Sequence, residues 1–272
     1  MKICKLAVAV AFFYKKDKIE YFSNTLSNLY KFAKSVCVYI FTNTLDKAEQ
    51  SEIQKCFHQH SNVSYYILVP KLLGHPYFLT WSHKDVFRQL VRTDPTITHY
   101  LYLEDDILLS EENIEYYLEG ESYLSKYNFF PSFIRYEVNT DGIKYAIDVM
   151  KIQIFHAMSS IKCSDSYYYV NFSYPYQGIY LLNAKFMQEY FNSQADNPDY
   201  RSVWGIREQN TATILFHNVK KCFTSRNLVG CTYQNENIEL DLRCLIHHLP
   251  NKYVQDKQNL SKLYKIDNII VP

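Results

Sequence analysis

Three consecutive carboxylates, Glu104, Asp105 and Asp106, have the residue types and spacing best suited to chemistry. They follow the apolar and aromatic run HYLYL at 99–103, a pattern that predicts a buried strand. A buried carboxylate without a partner is destabilising or takes up a proton. The three acids therefore indicate a metal ion, a basic cluster or a cationic ligand. A strand that runs out into a solvated acidic turn is the alternative.

Carboxylate oxygens are hard ligands that suit Mg²⁺ or Mn²⁺, and these ions take much of their coordination shell from water and substrate phosphates. The sequence contains neither GxxxxGK[ST] nor GxGxxG and has only six Gly, so a glycine-rich phosphate loop is not expected. The acids therefore predict a diphosphate ligand that is held through a metal.

The segments before the acids alternate between strand and helix patterns. Strands are predicted at 6–13, 36–41, 63–69 and 99–104, and helices at 19–34, 47–57 and 82–92. This βαβαβ alternation predicts a parallel sheet. Because open sheets of this kind bind ligands at the carboxyl ends of their strands, the acids lie where a ligand is expected.

The remainder of the chain has a different pattern of predicted secondary structure. Short strands are predicted at 132–138, 167–172 and 178–182, and scattered helices at 186–192 and 208–216. This pattern is typical of mixed α+β structure. Since no linker or low-complexity segment separates the alternating first part from the mixed second part, we predict one continuous domain of α/β class, with halves at 1–130 and 131–272.

Composition excludes several classes of function. The 272 residues are 47% hydrophobic and 21% charged, which is typical of a globular protein. A net charge of +1 argues against a nucleic-acid partner. Seven Cys without CxxC spacing favour a reducing cytoplasm. The apolar run at 6–14 is too short to span a bilayer, so no transmembrane span is predicted, and peripheral membrane contact is left open.

The run Leu101-Tyr102-Leu103-Glu104-Asp105-Asp106-Ile107, placed after a βαβαβ half, resembles the glycosyltransferases of the GT-A fold. In that family an acidic DXD motif at a strand end holds a divalent cation against a nucleotide-sugar diphosphate. Similar segments are YQGIYLL at 176–182, Trp204-Gly205 with Glu208, and His247-His248. The resemblance implies a GT-A-like single domain, in which a Rossmann-like half at 1–130 binds the nucleotide sugar and a mixed α+β half at 131–272 binds the acceptor.

The resemblance also implies roles for individual residues. Asp106 is expected to ligate the metal directly, together with His248 or its neighbour His247. Glu208 is the candidate general base, which implies inversion at the anomeric carbon, and a helix-capping acid is its alternative. The nucleotide-sugar ligand is expected to contact Phe12, Tyr14, Thr42, Lys84, Glu104, Asp105 and Gly178. For Lys84 and its neighbour His83 the alternative is a solvated helix start.

The implied reaction moves a sugar from a nucleotide-diphosphate sugar, with uracil as the expected base, to a hydroxyl of a saccharide or glycolipid acceptor. Mn²⁺ or Mg²⁺ is the expected cofactor. The expected setting is bacterial surface polysaccharide or lipopolysaccharide synthesis, in the cytoplasm or at the inner face of its membrane. Two alternatives stay open, a metal-dependent nucleotidyltransferase and a non-catalytic carbohydrate-binding relative. The first usually has a glycine-rich basic loop where this chain has Phe12-Phe13-Tyr14.

Overall fold

The structure is a computed structural model that describes residues 2–71, 73–172, 176–193, 195, 197–199 and 205–272. Its strands are β1 (Ile3–Phe12), β2 (Ala33–Thr42), β3 (Val63–Leu68), β4 (His99–Glu104), β5 (Ile107–Leu108), β6 (Phe130–Pro131), β7 (Ile134–Val138), β8 (Lys144–Ala146), β9 (Gln153–Ile154), β10 (Ser160–Lys162), β11 (Tyr167–Val170), β12 (Ile179–Asn183), β13 (Asn227–Gln234), β14 (Asn237–Leu240), β15 (Leu245–His248), β16 (Tyr264–Lys265) and β17 (Ile270–Val271). Its α-helices are α1 (Ile19–Leu26), α2 (Leu29–Phe32), α3 (Lys47–Lys55), α4 (His83–Thr93), α5 (Glu111–Leu124), α6 (Ala184–Phe191), α7 (Ile206–Ala212), α8 (Lys252–Gln255) and α9 (Lys257–Leu260).

The chain divides into two compact units, each of which combines helices and strands. The first unit consists of residues 2–111 and 178–214, and the second of residues 112–177 and 215–272. The sheets contain both parallel and antiparallel pairs, and the α/β class predicted from the sequence is confirmed. The predicted halves at 1–130 and 131–272 stay a prediction.

The first unit is built on a five-stranded sheet in the order β12, β4, β1, β2, β3. The pairs β1 with β2, β1 with β4, and β2 with β3 are parallel, as the alternating pattern predicts. The added strand β12 runs antiparallel to β4. Strand β1 is buried from Leu6 to Phe12. An uninterrupted apolar run is what a parallel strand that is covered on both faces requires.

The crossover helices α3 and α4 differ in whether a side chain caps their N-terminus. Asp46 caps α3, since its Oδ1 accepts hydrogen bonds from the backbone amides of Ala48 at 2.8 Å and Glu49 at 3.0 Å. Helix α4 is present where it is predicted. Ser82, the residue before it, does not cap it, because its hydroxyl donates to the carbonyl of Phe78 at 3.2 Å.

The second unit contains several short sheets. Strands β10, β11, β13 and β14 pair in that order, all antiparallel, and β6 adds to β13 in parallel. Strand β7 pairs with β8 and β15, and β8 pairs with β16. A last pair joins β9 to β17. The predicted strands near 132–138 and 167–172 are confirmed as β7 and β11. Strand β12, predicted at 178–182, is part of the first unit.

No helix within the described parts of the chain is long and apolar enough to cross a membrane.

Candidate functional site

The acidic triplet lies at the carboxyl end of β4 in the first unit. Glu104 is the last residue of the strand and pairs in register with Ala11 of β1. Its backbone amide donates to the carbonyl of Gly178 at 3.2 Å. Glu104, Asp105 and Asp106 are each only 8% exposed. The alternative of a solvated acidic turn is therefore wrong, and the carboxylates are held inside the unit at the predicted edge of the sheet.

Two cationic side chains lie beside the triplet. The Nζ of Lys18 is 3.5 Å from Oδ2 of Asp105, and Nε of Arg207 is 3.8 Å from Oε1 of Glu104. Lys18 closes the 3₁₀ segment Lys16–Lys18, which follows β1, and Arg207 is on the first turn of α7. Because β1 and β4 are adjacent and parallel, the residues that follow them meet at one edge of the sheet. The site therefore contains charges of both signs.

Asp105 is the acid whose ionisation is most perturbed. Burial, and then the charges of Asp106 and Glu104, raise the pKa of Asp105 to about 7, against the lowering effect of Lys18. Its Oδ2 is buried and accepts no hydrogen bond from any described residue. A desolvated carboxylate oxygen of this kind is stabilised by a bound cation.

We expect the Asp105→Asn variant to become more stable than the wild-type protein as pH rises, in buffer that contains EDTA. A carboxyl whose pKa is raised on folding contributes stability that is full below about pH 4 and is lost as pH rises through about 7. Asparagine does not titrate. The melting temperature of the variant relative to the wild type should therefore increase by about 5 °C between pH 5 and pH 8, as measured by calorimetry.

Asp17→Asn is the matched control, because Asp17 is an exposed carboxylate in the same part of the unit. The melting temperature of Asp17→Asn relative to that of the wild type should stay constant over this pH range. If the melting temperature of Asp105→Asn relative to the wild type also stayed constant, Asp105 would have to be ionised in the folded protein at both pH 5 and pH 8.

The triplet fits a metal that takes only part of its coordination shell from the protein. Among the described residues, no group of three or more His, Cys, Asp or Glu side chains is arranged to hold a metal ion. Mg²⁺ is commonly held by one or two carboxylates, with water and substrate phosphates as the other ligands. The buried Oδ2 of Asp105 and the neighbouring carboxylate of Asp106 are suited to that mode, and Mg²⁺ or Mn²⁺ as the cofactor stays a prediction.

The structure places three predicted ligand contacts at the carboxyl ends of β1 and β2. Phe12 and Thr42 pair in register, and both are fully buried. Phe12 stacks on Phe22 with ring centroids 4.2 Å apart, so its ring is part of the core. Thr42 Oγ1 has no hydrogen-bond partner among the described residues. The hydroxyl of Tyr14 donates to Oε2 of Glu52 at 2.7 Å, and this bond raises the pKa of Tyr14 to about 12.

Lys84 and His83 are buried, at 4% and 1% exposure, so the alternative of a solvated helix start is wrong. The ammonium of Lys84 lies 3.4 Å from the ring centroid of Trp81 and 4.8 Å from that of Tyr190. Desolvated cation–π contacts of this kind are among the stronger ones. The indole Nε1 of Trp81 in turn donates to the carbonyl of Ile206 at 2.7 Å. Lys84 is thereby linked through Trp81 to the start of α7.

Both ring nitrogens of His83 are hydrogen-bonded within the core of the first unit. Its Nδ1 is 2.8 Å from the carbonyl of Thr80 and its Nε2 is 2.5 Å from the hydroxyl of Tyr180. A carbonyl only accepts, so Nδ1 carries the proton and Nε2 accepts from Tyr180. Burial, and then the charge of Lys84, lower the pKa of His83 well below its usual value. His83 is therefore a neutral, fixed member of the core.

Glu208 lies beside the triplet through Arg207. The Nη2 of Arg207 is 3.4 Å from Oε1 of Glu208, and the same guanidinium reaches Glu104. The carboxylate of Glu208 folds back over Gly205 at the start of α7. This position agrees with both a first-turn helix acid and a base next to the site, so its catalytic role stays a prediction. Trp204 lies outside the described residues.

Gly178 immediately precedes β12 and has a φ of +67°, a conformation that favours glycine. Its carbonyl accepts from the backbone amide of Glu104, so the predicted residue Gly178 lies beside the triplet. Phe12 and Thr42 lie farther along the same sheet edge, on β1 and β2.

His248 belongs to the second unit. Its Nδ1 is 2.5 Å from Oε1 of Glu137, and both side chains are buried. The same carboxylate accepts at Oε2 from the amides of Tyr253 at 2.8 Å and Val254 at 3.0 Å. His247 stacks on Tyr136 and contacts Asn251. A carboxylate on one ring nitrogen is typical of histidines whose other nitrogen ligates a metal, and His248 as a ligand stays a prediction.

A cleft of about 540 Å³ opens at the carboxyl ends of β2 and β3 in the first unit. Its walls are mainly apolar and aromatic and include Phe41, Leu68, Pro70, Phe78 and Trp81. The volume is in the range of small-molecule sites. Trp81 belongs both to this cleft and to the contact with α7.

Lys18 and Arg207 are not among the site residues that the sequence predicts. A signal for each was present. Lys18 ends the basic run Lys15-Lys16-Asp17-Lys18, directly after the strand next to the acidic one, and Arg207 is adjacent to Glu208. What was missing was the approach of α7 to β4, which joins residues more than a hundred positions apart.

No protein-family model matches this chain, and neither does any curated protein.

Proposed function

We propose that the chain is a metal-dependent glycosyltransferase of the GT-A type, which moves a sugar from a UDP-sugar to a hydroxyl of a saccharide or glycolipid acceptor. The single observation that carries the proposal is the burial of three consecutive carboxylates at the carboxyl end of a parallel strand. Such a concentration of buried acids has little structural use and is suited to a cation that binds a diphosphate.

The surroundings of the triplet support an anionic ligand. Lys18 and Arg207 are cations within 4 Å of the carboxylates, so they can contribute to the binding of phosphate oxygens. The aromatic cleft at the ends of β2 and β3 lies along the same sheet edge. A planar base stacks favourably on aromatic walls of this kind. A nucleoside diphosphate combines both features in one molecule.

Each residue of the candidate site has a separate role in the proposed reaction. Asp106 and Asp105 bind the cation, which when present stabilises negative charge on the leaving diphosphate. Arg207 orients the carboxylates of Glu104 and Glu208 and offers a second positive charge beside them. Glu208 accepts the proton of the acceptor hydroxyl. Burial of the triplet excludes water and strengthens each of these electrostatic interactions.

Calorimetric titration of the purified protein with UDP, GDP and CMP, each with and without Mn²⁺, tests the proposal. We expect UDP to bind in the presence of Mn²⁺ and to bind at least tenfold more weakly in EDTA, because the metal joins the diphosphate to the triplet. Asp106→Asn should remove the metal dependence, and the exposed Asp17→Asn should retain it.

The other outcomes select between the alternatives. Tight binding of a nucleoside triphosphate, with transfer of its nucleoside monophosphate to an acceptor and release of inorganic pyrophosphate, would favour a nucleotidyltransferase. Binding of UDP-sugars without release of UDP in the presence of any saccharide acceptor would favour a non-catalytic carbohydrate-binding protein. A folded protein that binds no nucleotide, with or without metal, overturns the proposal.

A further inference from the structure

Asn210 is a buried side chain whose polar atoms are not satisfied by any residue that the structure describes. Its side chain is 0% exposed, and neither Oδ1 nor Nδ2 has a hydrogen-bond partner among the described residues. Buried amides are almost always hydrogen-bonded, and each exception requires a physical reason. Asparagine is also a poor helix former compared with alanine, so neither the core nor α7 benefits from this residue.

The neighbouring residue shows that this helix can satisfy a buried amide. Gln209 is 3% exposed, its Oε1 accepts from the backbone amide of Asp199 at 2.8 Å, and its Nε2 donates to the carbonyl of Asp199 at 3.0 Å. Both amide atoms of Gln209 are therefore paired within the protein. The contrast makes Gln209 a structural residue and leaves Asn210 without a structural explanation.

Asn210 belongs to α7, the helix that contributes Arg207 to the candidate site. Residues three and four positions apart share a helix face, so Asn210 lies one turn after both Arg207 and Ile206. Arg207 reaches Glu104, and the carbonyl of Ile206 accepts from the indole of Trp81. Asn210 therefore lies on the face of α7 that carries Arg207, beside the acidic end of β4.

We propose that Asn210 contacts the sugar of the bound donor and helps to determine which sugar is accepted. This inference rests on the function proposed above. An amide offers one acceptor and two donor hydrogens, and a sugar hydroxyl both donates and accepts. Phosphate oxygens at neutral pH mainly accept, so they leave Oδ1 unsatisfied. A hydroxyl-bearing ring next to the diphosphate therefore satisfies Asn210 more completely than the diphosphate does.

A pair of alanine variants tests the inference, with stability as the first measurement. Asn210→Ala removes an unpaired amide and improves helix propensity, so its melting temperature without ligand should equal or exceed that of the wild type. Gln209→Ala, the matched control, removes two hydrogen bonds and should melt several degrees lower. A melting temperature of Asn210→Ala that falls as far as that of Gln209→Ala would mean that the amide is paired, and would overturn the inference.

Binding is the second measurement, with UDP, UDP-glucose, UDP-galactose and UDP-N-acetylglucosamine as probes, each with Mn²⁺. We expect the wild type to bind one of these UDP-sugars more tightly than UDP. Asn210→Ala should bind that sugar nucleotide about tenfold more weakly and bind UDP within a factor of two of the wild type.

The two hypotheses fail in different ways. A wild-type protein that binds neither UDP nor any of the UDP-sugars overturns the proposed function. A wild type that binds a UDP-sugar with an affinity unchanged in Asn210→Ala overturns only the role of Asn210. Equal weakening of UDP and UDP-sugar in the variant would assign Asn210 to the nucleotide instead of the sugar, and would also overturn the inference.

Discussion

We expect Asp106→Asn to lower metal-dependent release of UDP from the bound UDP-sugar by at least about 100-fold. The substitution removes the charge of the proposed metal ligand and preserves the shape of the side chain, which is buried at 8% exposure. Under the proposed function, loss of the carboxylate would weaken binding of the cation that would offset negative charge on the leaving diphosphate. Steady-state kinetics at saturating Mn²⁺, with the protein's circular dichroism as a check of folding, provide the measurement.

Asp17→Asn is the control for this prediction, because it removes an exposed carboxylate near the same strand end. Its turnover should be within about twofold of the wild type. An Asp106→Asn protein that retains more than a third of the wild-type rate would show that Asp106 does not bind the metal. Loss of folding in Asp106→Asn would instead assign the residue a structural role.

A second large effect is expected in the second unit, where Glu137→Ala should lower the free energy of unfolding by about 3–5 kcal/mol. Glu137 is fully buried, it pairs with His248, and it accepts from two backbone amides at the start of α8. Its removal leaves a buried imidazole and two amide hydrogens without their acceptor. Urea unfolding, followed by circular dichroism, measures the change.

Two further variants complete the test. The exposed Glu239→Ala on β14 should change stability by no more than about 0.5 kcal/mol. In a double-mutant cycle, Glu137→Ala and His248→Ala together should cost less than the sum of the single variants, because each removes the same pair. Additive effects would show that the two side chains contribute to stability independently.

Much of the first unit could be predicted because its signals are local. The strand pattern of β1, the cap at Asp46 and the breaks between elements depend on residues that are close in sequence. Such features follow from hydrophobic periodicity and capping. The position of the acids at the end of β4 follows from the same pattern, because alternating strands and helices place the carboxyl ends of parallel strands on one edge.

Other features could not be predicted, because they depend on packing between distant segments. In the sequence, Lys84 is part of the polar first turn of a predicted helix. Only the packing of Trp81 and Tyr190 around it makes it a buried cation. The antiparallel strand β12 joins the sheet from a distant part of the chain, and it brings Gly178 to Glu104. Hydrophobic periodicity contains no information about such partners.

The sequence by itself determined the α/β class, the parallel core of the first unit and the presence of an acidic strand end. Each of these follows from the periodicity of apolar residues and the free energy of their burial. Only the tertiary structure decided which charges meet at that end, that Arg207 lies between Glu104 and Glu208, and that Asn210 is buried with no hydrogen-bond partner among the described residues. Electrostatic and hydrogen-bond partners depend on distances of a few ångströms between segments that are far apart in the chain.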